Sequence, residues 1–287
     1  MSENTGWGGV ADWYDATVND ADSHQARVIM PNILRLFAPE KGKKILDLAC
    51  GQGYFSHALS AMGARVTGVD IAPELVRIAE SRAKHNEEFF VASADDLSAL
   101  DGKKFDAALC VLAIQNMEEI TDVFAEVSRL LKNGGKFIIV LNHPAFRIPD
   151  KSSWGFDEKS KTQYRRIDEY MSESKKEIDM HPGWTAEKNR MNVSNIADDA
   201  SAAKVTGNTT ISFHRSLQAY SKSLHNAGFV VSRLEEWMSH RKSENGPCKT
   251  AEDKARREIP MFMCLECVKL WTGEANRRPR PEGRKTV

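Results

Sequence analysis

The sequence predicts an α/β protein: a doubly wound, mostly parallel seven-stranded sheet, its last strand antiparallel, with a cap inserted after strand five. Three observations lead there. Between Lys44 and Val140 short apolar runs alternate with amphipathic ones, a rhythm that implies right-handed crossovers between parallel strands. The run Lys136–Leu141 (KFIIVL) is apolar almost throughout, as expected of a strand covered on both faces. About 70 residues from Asn142 to Ser212 then interrupt the rhythm, too many for a structureless loop, and are expected to form a cap subdomain.

Each element has its own signal. Lys44–Ala49 (KILDLA) reads as a buried strand ending at Gly51 and Gly53, followed by a helix over Tyr54–Met62 that Gly63 closes. Arg65–Val69 is the second strand, and Pro73 opens a helix running to about Lys84, because its missing N–H would be unpaired there anyway. Phe89–Val91 and Phe105–Leu112 are the third and fourth strands. Glu118–Leu131 places Ile120, Val123, Phe124, Val127, Leu130 and Leu131 on one stripe and stops at Gly134-Gly135.

Within the cap, Ser160–Ser174 reads as an amphipathic helix with Tyr164, Ile167, Tyr170 and Met171 inward. Beyond it, a helix over Ser216–Ala227 ends at Gly228 and precedes strands at Phe229–Leu234 and Pro260–Leu270. No helix is predicted between these two strands, so the last is expected to return antiparallel. Residues 1–271 would then form one domain with 142–212 as its cap, and the polar, Pro/Arg-rich 272–287 a disordered basic tail.

Composition excludes some partners. Lys+Arg and Asp+Glu are equal at 40 each, so no net field recruits membranes or polyanions. From Phe146 to Phe213 there are 11 basic and 11 acidic residues, which argues against the cap as a phosphate-binding platform. The N-terminus lacks the basic and apolar regions of a signal peptide, and no run approaches the roughly 20 apolar residues a spanning helix needs. Five cysteines, sparse and odd in number, suit a reducing compartment, and the cytoplasm is expected. Cys264 and Cys267 form a CxxC, but inside a strand positions three apart face opposite ways, and no second pair completes a metal site.

The stretch Ile45–Phe55 (ILDLACGQGYF) carries the ligand signal. Gly51 and Gly53 let the chain turn sharply at a strand's carboxyl end and approach a ligand closely, and the helix behind them aims free N–H groups at the same spot. A Gly-x-Gly loop alone equally serves NAD. Here the third glycine of the dinucleotide pattern is absent, Ser56 standing there, and Asp47 lies just before the loop. A carboxylate there would repel a pyrophosphate and suits an ammonium group. Asp70 closes the second strand 19 residues after Gly51, placed to accept from both hydroxyls of a ribose, a feature NAD shares.

Four ordered blocks resemble the class I, Rossmann-like S-adenosylmethionine (SAM)-dependent methyltransferase family. They are ILDLACGQGYF, VTGVDIAPELV, VASADDL, and FDAALCVLAIQNM with EVSRLLKNGGKFIIV, spanning about residues 40–141. The resemblance implies SAM as cofactor. It places Asp47, Ala49, Gly51 and Gly53 at the methionine portion, Asp70 on the ribose and Ile71 against the adenine. Ser93 or Asp95, with the Ala94 amide, would edge the adenine, and Leu112 and Gln115 would border the sulfonium. The acidic residue often found at the Ser93 position is missing.

Methyl transfer from a sulfonium needs no leaving-group protonation, so positioning and desolvation can suffice and a base is needed only for a protonated acceptor. His143, after strand five, is the candidate base. Tyr14 in Trp13-Tyr14-Asp15, ahead of the first helix, resembles the N-terminal segment that covers SAM in small-molecule members. His214, beside Arg215, is a third candidate from the cap side. An Asn-Pro-Pro-Tyr-like signature for amino-group methylation is absent. The expected acceptor is a small molecule, with no metal, membrane or nucleic-acid partner. The competing readings are an RNA- or protein-directed methyltransferase docking through Arg277–Lys285, a non-catalytic SAM-binding regulator and a nicotinamide dehydrogenase.

Overall fold

A computed structural model describes residues 7–38, 41–180 and 209–270. Seven strands pair into one sheet: β1 (Lys44–Leu48), β2 (Arg65–Asp70), β3 (Glu87–Val91), β4 (Phe105–Val111), β5 (Leu131–Asn142), β10 (Phe229–Trp237) and β11 (Phe262–Lys269). Their order is β10-β11-β5-β4-β1-β2-β3, parallel from β5 to β3, with β11 antiparallel to both neighbours.

Alternation along β5 explains the two-sided burial. Phe137, Ile139 and Leu141 join one core with helices α5 (Ile120–Leu130) and α6 (Leu217–Asn226). Ile138 and Val140 join the other, with α2 (Met30–Phe37) and α3 (Tyr54–Ala61). All five strand residues are at most 1% exposed, each such burial worth ~1.5–3 kcal/mol. Cys264 and Cys267 divide between the same two cores, as expected of strand positions three apart. Burial pushes both thiols up to about 12. They pack as apolar groups.

Among the described residues, the remaining α-helices are α1 (Ala11–Asn19), α4 (Pro73–Ser81) and α7 (Lys249–Glu258). Trp13-Tyr14-Asp15 therefore lies inside the first helix, not ahead of it. Helix α7 corrects a second expectation, since β10 and β11 are joined through a helix. It buries only Ala255 and packs beside the cap, so the antiparallel return survives while its supposed cause does not.

The cap is the larger correction. Residues 160–174 form no helix: β6 (Ser152–Asp157) and β7 (Thr162–Ile167) make an antiparallel hairpin. Tyr164 and Met171 are exposed, and the Tyr164 ring lies over Gly155, where any Cβ would collide with it. A second hairpin pairs β8 (Ser174–Asp179) with β9 (Thr209–His214). The predicted tail, 272–287, lies outside the described residues.

Candidate active site

The carboxyl ends of β1, β2 and β4 open into a cavity of about 740 Å³. Two strand ends there adopt left-handed backbone without glycine: Ala49 (φ 55°) after β1 and Leu112 (φ 53°) after β4. Such outliers cost energy and concentrate at functional sites. Both line the cavity. Gly51 follows at φ 55° and Gly53 at φ 84°. A Cβ on Gly51 would stand 3.4 Å from the Tyr14 ring, and one on Gly53 would meet His57 Nε2 at 2.7 Å.

Asp70 anchors the loop. Its Oδ2 accepts from the Gly51 amide and its Oδ1 from the Ala72 amide, both at 2.9 Å. Burial raises its pKa, partly offset by the amides of Ala72, Gly51 and Ile71. Each oxygen keeps a second lone pair, and the carboxylate lines the cavity. Ile71 lines the same wall, as do Ser93, Ala94 and Asp95, with the Ser93 hydroxyl donating to Asp95.

Tyr14 closes the cavity from the N-terminal side, edge-on to Trp7 at 5.2 Å. Its neighbour Asp15 accepts two bonds from Arg82 (2.6 and 2.7 Å), which ties α1 to the end of α4 and fixes where Tyr14 points. Burial, then the charges of Asp70 and Asp47, push the phenol's pKa up. It stays a neutral hydroxyl.

Five predicted site residues are not on the cavity wall. Asp47 is 2% exposed behind the glycine loop and accepts from Ser56 Oγ at 2.6 Å. Burial raises its pKa to about 7, with Asp70 adding repulsion. Gly53 caps α3 from below. Gln115 donates to the Leu112 carbonyl (2.6 Å), and its buried Oε1 lacks a partner among the described residues. His143 has both ring nitrogens engaged: Nδ1 accepts from the Ala145 amide (3.2 Å), so Nε2 donates to Glu236 (2.7 Å). Burial depresses its pKa. His214 Nε2 meets the Tyr170 carbonyl at 2.9 Å. His143, just past β5, and His214, the last residue of β9, are thus held by hydrogen bonds away from the cavity wall.

The cap roofs the cavity through residues that the sequence pattern does not single out. The β8–β9 hairpin supplies Lys175, Glu177, Thr210, Ile211 and Phe213 to the cavity wall. Asn116 Nδ2 donates to Thr210 Oγ1 (3.3 Å), and Lys175 pairs with Glu118 at 3.3 Å, fixing the hairpin over the segment after β4. The available signal was period two in TTISFH, where Thr210, Ser212 and His214 are buried and Ile211 and Phe213 point the other way.

The wall chemistry fits an adenosyl ligand. A doubly anchored carboxylate with spare lone pairs suits a ribose diol, and Ile71 offers an apolar face to a planar base. Bare Gly51 leaves room for close approach. Sheet order and site together define a class I SAM-dependent methyltransferase fold. A family model described as a methyltransferase domain matches residues 46–139, from β1 to β5. Residues 46–139 thus carry a methyltransferase domain, on the fold shared with class I SAM-dependent methyltransferases.

A ubiquinone biosynthesis O-methyltransferase of Xanthomonas oryzae pv. oryzae is 31% identical over 134 residues, covering 45% of this chain and 56% of that relative. The chain thus spans little more than half the length of such relatives. A SAM-dependent methyltransferase of Mesorhizobium loti superposes with TM-score 0.60 at 23% identity, over 83% of this chain and 96% of that one. A chain from the complex of the Haloferax volcanii Trm112 methyltransferase activator with a methyltransferase gives 0.61 at 18%, over 96% and 100%. These two likenesses concern the fold. Among the described residues, no helix is long and apolar enough to cross a membrane. No group of three His, Cys, Asp or Glu there is placed to hold a metal ion.

Proposed function

We propose that the protein transfers a methyl group from SAM to a small-molecule acceptor held between the sheet's carboxyl edge and the β8–β9 hairpin. The observation that carries this reading is the roof. Trp7 and Tyr14 on one side and Ile211 and Phe213 on the other face the glycine loop across one cavity, of a size that suits a cofactor and a small partner. The similarity to an O-methyltransferase of ubiquinone biosynthesis supports the same class of acceptor.

Bound SAM supplies an electrophilic methyl on a positively charged sulfur. Asp70 accepts from the ribose hydroxyls with the lone pairs that Gly51 and Ala72 leave free. Ile71 packs against the adenine, Ser93, Ala94 and Asp95 read its edge, and Leu112 borders the sulfonium. Ala49 and Gly51 border the methionine portion, and the neutral Tyr14 ring shields the sulfur, an aromatic–cation contact of ~0.5–2 kcal/mol. With His143 and His214 committed elsewhere, this wall works by alignment and exclusion of water. All five cysteines are free thiols, which supports a reducing compartment such as the cytoplasm.

The test is calorimetric titration with SAM, S-adenosylhomocysteine and NAD, then labelled SAM against separate pools of metabolites, RNA and protein. The reading expects both adenosyl ligands to bind, NAD not to, and label to enter the metabolite pool. NAD binding alone, or label only in RNA or protein, would overturn it.

A further inference from the structure

Beyond the cavity, three arginines lie on elements that pack together. Arg147 lies in the loop after β5, Arg165 on β7 and Arg256 in the last turn of α7, and all three are half-buried. Helix α7 packs against β7, bringing the elements together. Arg165 lies 5.2 Å over the Trp154 ring and donates to the Phe146 carbonyl (2.8 Å) and Ser152 Oγ (2.7 Å). Arg256 donates through Nε to Ser243 Oγ at 3.1 Å. The Arg147 guanidinium, with five N–H donors, has no hydrogen-bond partner among the described residues.

The acids nearby are engaged elsewhere. Asp253 accepts from the Ser243 amide (2.7 Å), Glu236 from His143 (2.7 Å), and Asp22 faces His240 (3.3 Å). None pairs with these arginines. Burial, then repulsion from Arg165 and Arg256, hold the Arg147 pKa below its usual value. His24, its pKa lowered to about 4, feels Arg147 from a further side, with His240 and Arg241. Like charges held half-buried near one another cost stability unless an opposite charge completes them. Guanidinium forks match the oxygens of a carboxylate or phosphoryl group.

We propose that Arg147, Arg165 and Arg256 form an oxyanion site that takes the acid group, carboxylate or phosphoryl, of the methyl acceptor. The inference rests on the small-molecule reading above. The Leu112 amide donates to the Val140 carbonyl (2.7 Å), so the cavity's β4 edge and the strand leading to Arg147 are neighbours, one strand spacing of ~4.8 Å apart. The hairpin carrying Arg165 and the hairpin roofing the cavity belong to the same insertion. An acceptor gripped by its acid group would present its far end to the cavity.

The test uses the full chain and inorganic phosphate, with ionic strength held constant by sodium chloride. Phosphate at ten times its Kd should raise the wild-type Tm by roughly 4 °C. Arg147→Gln and Arg256→Gln should start from a higher Tm, lose that response, and keep wild-type affinity for S-adenosylhomocysteine. With the acceptor found by labelled SAM, phosphate should compete with it, and Arg147→Gln should raise KM at least about tenfold with kcat little changed. A wild type indifferent to phosphate, variants that respond fully, or a neutral acceptor untouched by Arg147→Gln would overturn the site. Loss of S-adenosylhomocysteine binding in the wild type would instead overturn the parent reading, so the two failures are distinguishable.

Discussion

The carboxyl edge of this sheet buries charge of opposite sign at its two ends. At β1 and β2, Asp47 and Asp70 are almost wholly covered, and burial raises both pKa values. At β5, β10 and β11, Arg147 and His24 are half-buried beside other cations, and both pKa values are pushed down. Neither end is arranged for stability alone, which would favour apolar side chains or compensated pairs. The β5 interior between them, apolar and saturated with strand hydrogen bonds, follows every rule of packing. Sites are found where local rules are broken and the surrounding fold bears the cost. On the readings proposed above, the negative end offers Asp70 to a ribose and the positive end offers guanidinium groups to an acid.

The largest expected effect tests the negative end. Burial raises the Asp47 pKa to about 7 in the folded chain, against 3.8 for a free aspartate. Between those values the folded chain keeps a proton that the unfolded chain has lost, so stability falls as pH rises and the full penalty stands above pH 7. Asp47→Asn removes the charge and can still accept from Ser56. It should stabilise the protein at pH 8 by on the order of 3–4 kcal/mol and leave it unchanged near pH 3.5. Urea unfolding at the two pH values reads this directly. Equal stability at pH 8 would show that Asp47 is not a buried carboxylate.

Asp70→Ala comes next. It removes the acceptor for two loop amides and, on the proposed reading, for the ribose. SAM affinity should fall by about 2 kcal/mol, roughly thirtyfold, with a smaller loss of stability. Calorimetry on the folded variant decides the matter, and an unchanged Kd would put the ribose elsewhere. His143→Ala should lower stability by ~1–2 kcal/mol through its lost bonds to Glu236 and Ala145. Its Kd for S-adenosylhomocysteine and its turnover should stay near wild type, and a large fall in kcat alone would restore His143 as a base.

His143 also marks where sequence reasoning stops. Its position after β5 was legible, because strand ends follow from apolar periodicity. Its direction was not, since that depends on Glu236, 93 residues away. Gly51, Asp70, Ile71 and the Ser93–Asp95 turn were legible because each closes a strand whose end the pattern marks. Ile211 and Phe213 were not, because a roof is a tertiary contact. The cap hairpin was missed because the apolar spacing of Tyr164, Ile167, Tyr170 and Met171 imitates a helix while Tyr164 and Met171 face solvent. Helix α7 was missed because a helix burying one alanine has no apolar stripe to read. Equal counts of basic and acidic residues hid the arginine cluster for a related reason: composition averages over a fold that sorts its charges.

The smallest expected effect sits at the positive end and has the opposite sign of pH dependence. The His24 pKa is lowered to about 4 in the folded chain, against 6.5 for a free histidine, first by burial and then by His240, Arg241 and Arg147. The unfolded chain gains its proton first, so this contribution is present above pH 6.5 and is lost as pH falls toward 4. The site is half open to solvent, and screening reduces the effect to about 1 kcal/mol. His24→Gln, which can still reach Ser239, should relieve that loss at pH 5 and change little at pH 7.5. Across pH 4–6.5 the Asp47 and His24 contributions slope in opposite directions. Asp47→Asn should therefore expose a stability that rises with pH, and His24→Gln should deepen the fall. A wild-type slope that neither variant alters would mean that the two ends do not titrate as buried groups, and the contrast between them would be lost.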